Sequence, residues 1–80
     1  MPKVFDFQGY TFFFFSNEGN PREPIHIHVR KDGNLAKVWI EPQVYLSENH
    51  GFTAKELKMI ITEVFKNEAS IRRAWNEYFS

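Results

Sequence analysis

Apolar positions follow two different periods along this chain. Up to Leu46 they come in short runs broken by Gly, Pro, Asn and Asp, the pattern of strands and turns. Val4–Phe7 and Tyr10–Phe15 predict two strands turning at Gln8-Gly9. Ile25–Arg30 and Leu35–Glu41 predict a second hairpin around Asp32-Gly33, a strong tight-turn signal, and Val44–Leu46 a short fifth strand. From Thr53 the period becomes helical. Thr53 with Glu56 forms a capping-box pattern, and Leu57, Ile60, Ile61, Val64 and Phe65 fall on one stripe. Asn67 is the expected cap of a second helix with the stripe Ile71, Ala74, Trp75, Tyr78 and Phe79. Both helices are one-sided, so both need an apolar surface to lie on. The fold expected is α+β in a single domain over residues 1–80, strand-rich in 3–46 and helical in 53–79. It is a four- or five-stranded antiparallel sheet of two β-hairpins with two C-terminal helices packed on one face.

Turning at Asp32-Gly33 sets the hairpin register. Ile25 faces Ile40, Ile27 faces Val38 and Val29 faces Ala36, all on the side the helices should cover. The opposite side receives His26 across from Trp39, His28 across from Lys37 and Arg30 across from Leu35. A one-residue slip would bury the charges and expose the aliphatics, which argues for this register. The Phe12–Phe15 run is apolar on both faces, as in a covered central strand. We therefore expect an aromatic patch on the histidine face, made by Trp39 with one pair of Phe, here Phe12 and Phe14. It would meet a partner protein or a second copy, unless the loop Ser16–Pro24 folds over it.

Composition narrows the function classes. The 80 residues include no cysteine, which removes disulfides, thiol chemistry and cysteine-bound zinc. Nine Phe, three Tyr and two Trp supply the apolar area that so short a chain needs. The formal net charge of zero does not indicate a nucleic-acid partner. No apolar run is long enough for a membrane span, and the N-terminal segment does not read as a signal peptide, so a cytoplasmic location is expected.

The His26-x-His28 element is the place where chemistry is most expected. Three uses of it stay open. Two imidazoles on one strand face can both reach a metal ion such as zinc, with His50, Glu23 or Glu41 as distant further ligands, although no cofactor is required by the sequence. His26 and His28 can serve as acid and base in a metal-independent endoribonuclease, with Lys37 and Arg30 stabilising phosphate charge and Trp39 or a Phe stacking a base. A binding module is the third use, in which Arg30, Trp39, Phe12 and Phe14 contact a small partner protein. The plainer alternative is structural: imidazole rings packed on an indole, their nitrogens bonded locally. His50, in SENHGF, reads as a loop residue. Lys55, Lys58, Lys66, Arg72 and Arg73 interleave with glutamates, which reads as a solvated mixed-charge surface.

Taken in order, GYTFFFFSNEGN, PIHIHVR, GNLAKVWIEP and GFTAKELKMI running to WNEYF resemble the domain of unknown function 4160 family over Gly9 to Phe79. In that family the histidine element usually opens with two prolines. Ile25 stands in place of the second here, and His26 and His28 keep their positions. The resemblance implies a small α+β protein of bacterial or archaeal cytoplasm. It also implies a gene often found beside that of a second small protein, with a toxin–antitoxin-like pairing suspected. It brings no established activity.

Overall fold

The structure is a computed structural model that describes residues 2–17 and 23–79. Five strands, β1 (Lys3–Phe7), β2 (Tyr10–Phe13), β3 (His26–Lys31), β4 (Asn34–Trp39) and β5 (Tyr45–His50), form one antiparallel meander in chain order. Helices α1 (Ala54–Lys66) and α2 (Glu68–Tyr78) follow. The first two hairpins turn where expected. Gln8, Gly9, Asp32 and Gly33 all take positive φ, as paired central residues of tight hairpin turns do. The β3–β4 register pairs His26 with Trp39, Ile27 with Val38, His28 with Lys37, Val29 with Ala36 and Arg30 with Leu35, as the turn predicts.

Alternation along β3 and β4 makes one sheet face aliphatic. Ile27, Val29, Ala36, Val38 and Ile40 are fully buried with Phe12, and Ile60, Val64, Ile71 and Trp75 of the helices complete the same core cluster. Fully burying each large side chain is worth about 1.5–3 kcal/mol, the main force holding the helices in place. Thr53 caps α1 as its spacing implies: its hydroxyl accepts from the Glu56 N–H and Glu56 accepts from the Thr53 N–H. The other Glu56 oxygen accepts from the Tyr10 hydroxyl at 2.6 Å, tying the helix start to β2.

Four expectations need correction. Phe65 and Tyr78, assigned to the inner stripes, are 57% and 48% exposed. In α1 it is Glu63, beside Ile60 and Val64, that turns inward, with its carboxylate 3.5 Å from Lys66 Nζ. Asn67 does not cap α2 with its side chain; its amide donates instead to the Glu63 carbonyl, because the two helices meet at this residue and the last turn of α1 has carbonyls to satisfy. β2 stops at Phe13, and the Phe14 N–H leaves the ladder to donate to the Pro2 carbonyl. Finally, β5 runs to His50 and not only to Leu46. The loop expected to cover the histidine face falls largely on residues 18–22, outside the described residues.

Candidate functional site

Away from the aliphatic face, cross-strand pairing lays three rows of side chains over the sheet. His26, Trp39 and Tyr45 form one; Lys3, Phe13, His28, Lys37 and Glu48 form the next; Asp6, Thr11, Arg30, Leu35 and His50 form the third. The β4–β5 register shifts between Lys37 and Val38, with Ser47 as the extra residue, so Tyr45, Glu48 and His50 come to this face despite their uneven spacing.

The two histidines of the motif have different surroundings. His26 is fully buried. Its ring meets His28, Trp39 and Trp75 with centroids 5.2, 5.2 and 5.1 Å away, and its Nδ1 lies 2.9 Å from the Pro24 carbonyl oxygen. A carbonyl can only accept, so Nδ1 carries the proton and donates. The expectation that both histidines lie clear of the helices therefore fails for His26: it opens β3 at the end of the sheet, where Trp75 of α2 reaches its ring. His28 is also buried, but it lies against Phe13 and Phe15, with centroids 5.7 and 4.2 Å away, and borders open space.

That space is a cleft of about 260 Å³ lined by Phe15, His28, Leu35, Ala36, Lys37, Glu48 and His50. His50 Nε2 lies 3.4 Å from a Glu48 carboxylate oxygen, and both side chains are more than half exposed. Beside the cleft runs a strip of cations over rings. The Lys37 ammonium sits 4.4 Å from the Trp39 ring centre and the Arg30 guanidinium 5.3 Å from that of Phe13, while Tyr45 lies next to Trp39.

Phe12 and Phe14 do not belong to this face. Phe12 pairs with Val29 on the aliphatic side, stacked on Phe5, and Phe14 packs edge-on to Trp75 in the core. The pair that joins the histidines is Phe13 and Phe15, which also pack against each other. The four-Phe run had no polar residue to mark its inner face, so only the pairing of β2 with β3 decides it. Arg30, Lys37, Trp39 and His28 are gathered as expected. Glu48 and His50 are additional. Their one signal in the sequence is the length left between Trp39 and the Thr53 cap, which suffices for another strand. Among the described residues no group of three or more His, Asp or Glu side chains is placed to hold a metal ion, so the His26–His28 pair has no third ligand there.

Residues 9–76 match the model of a family described as a domain of unknown function (DUF4160). The chain belongs to that family. No curated protein and no solved structure matches it. Among the described residues no helix is long and apolar enough to cross a membrane.

Proposed function

We propose that this family member is a small cytoplasmic binding module that docks an acidic partner protein through Arg30, Lys37, Trp39 and Tyr45, as one half of a toxin–antitoxin-like pair. The observation that carries the reading is the placement of Lys37 over Trp39 beside a Tyr45 that is 45% exposed. Trp, Tyr and Arg are the side chains on which interfaces concentrate their binding energy, and here they share one surface of the sheet. The exposed Arg30 and the half-buried Lys37 ask for carboxylates opposite; of the acidic residues in the three rows, Asp6 is paired with Lys3 and Glu48 has His50 beside it. The face is favoured over the sheet edges because both outer strands are bulged, at Val4 and at Ser47, which interrupts the regular ladder that another strand would extend.

Enzymatic use of the motif is less well supported. An acid–base pair of His26 and His28 needs both rings at a substrate, and His26 is enclosed with its Nδ1 proton committed to Pro24. The test is coexpression with the product of the neighbouring gene, followed by calorimetry on the purified pair. Trp39→Ala and Lys37→Glu should each weaken binding by about thirtyfold or more, the hot-spot scale. Wild-type affinity in both variants, with the fold intact by circular dichroism, overturns the reading.

A further inference from the structure

The cleft beside the strip has its own chemistry. Phe15 and Leu35 bring apolar surface to it, and the polar groups that line it come from three adjacent strands: His28 from β3, Lys37 from β4, and Glu48 and His50 from β5. A concave apolar pocket with a few convergent polar groups is the form that binding sites take. We infer that this cleft anchors a single carboxylate side chain, Asp or Glu, of the docked partner.

Charge balance selects that ligand. The Lys37 ammonium is the fixed cation among the lining side chains, whereas Glu48 brings one negative charge held towards His50. A monoanionic carboxylate can lie beside Lys37 and accept from its ammonium, as charge-assisted hydrogen bonds favour. A dianionic phosphate would place twice the charge against the Glu48 carboxylate with no further fixed cation lining the cleft. A cation would meet Lys37. The apolar walls suit the methylene stem of Glu or the short stem of Asp, and volume near 260 Å³ leaves room for little more than a side chain and its neighbours. Leu35 lies across from both Arg30 and His50, so the cleft sits close to the docking strip and one partner segment can engage both.

The inference rests on the docking reading for the identity of the ligand's carrier, and two experiments separate them. The first needs no partner. N-acetyl-glutamate α-amide, a single carboxylate, is titrated into the full chain labelled with nitrogen-15, beside N-acetyl-glutamine α-amide and inorganic phosphate. Saturable shifts centred on Leu35–Lys37 and Glu48–His50 are expected with the carboxylate alone. Lys37→Gln and His50→Gln should each weaken them at least about tenfold, whereas Lys58→Gln on the outer surface of α1 should leave them unchanged. No saturable shift in the wild type, equal shifts with the glutamine probe or with phosphate, or shifts that survive both cleft variants would each overturn the anchor. The second experiment uses the purified partner. A loss of its binding in His50→Gln as well as Trp39→Ala supports the anchor, while loss in Trp39→Ala with wild-type affinity in His50→Gln removes the anchor and leaves the docking face standing.

Discussion

Replacing His26 with alanine separates a structural histidine from a functional one. The ring is fully buried among His28, Trp39 and Trp75, so its removal leaves a cavity bounded by three large rings that cannot all close in. Deleting a buried aromatic side chain costs about 3–5 kcal/mol. The variant also leaves the Pro24 carbonyl without its donor, a loss of about 1 kcal/mol at this half-covered position. Domains have about 0.05–0.15 kcal/mol of stability per residue, which for 80 residues is about 4–12 kcal/mol. His26→Ala should therefore remove a large share of the total and leave a partly unfolded population at 25 °C. His26→Phe keeps an aromatic ring in the site and gives up the hydrogen bond to Pro24, so it should cost less, about 1–2 kcal/mol. The assay is urea unfolding followed by the fluorescence of Trp39 and Trp75, both of which touch the histidine ring. If His26→Ala unfolds within about 1 kcal/mol of wild type, the ring is not a core element. If the two variants lose equal stability, the hydrogen bond outweighs the packing. Either result refutes the reasoning.

Three other perturbations are specific. Thr53→Ala removes the capping hydroxyl of α1 and should cost about 1 kcal/mol, read by the same unfolding curve; no change would mean the cap is replaced by water without loss. Arg72 joins α2 to the end of β4 through Glu41 and the Ile40 carbonyl while also meeting Glu68, and a double-mutant cycle of Arg72→Ala with Glu41→Ala should give a coupling of about 0.5–1 kcal/mol that shrinks at high salt. The Glu56 carboxylate is held below the usual carboxylate range, first by the Thr53 backbone N–H and then by the Tyr10 hydroxyl. Its stabilisation is thus present above the unfolded-state pKa and is lost as pH falls through the lower folded one, so Glu56→Gln should flatten the acid limb of the stability–pH curve. The Tyr10 hydroxyl is shifted up by the same hydrogen bond, which puts its loss of stability at the alkaline end, as pH rises through the folded value.

Much of the fold was legible because local rules and long-range packing agree. Asp32-Gly33 accepts the positive φ of a tight turn, and that turn with strict alternation on both sides leaves one register that buries the aliphatics. The Thr53–Glu56 spacing marks a helix start in the same local way. β5 was legible only at its first residues. All six of its residues are exposed, so burial imprints no alternation on them, and the extra Ser47 breaks what period there is. His50 consequently reads as a loop residue, and half of the polar side chains that line the cleft leave no periodic sign in the sequence.

The sequence alone determined the order of elements, the hairpin register, and the gathering of His28, Arg30, Lys37 and Trp39 on one face, since each follows from chain geometry over a few residues. Tertiary structure decided the rest. Which Phe residues of an all-apolar run face inward depends on the strand beside them, and burial of His26 depends on an indole 49 positions further along the chain. Two histidines alike in sequence context thus part company: one is enclosed by the core, and the other borders the cleft. No local pattern records that difference, because it is set by which distant side chain arrives above each ring.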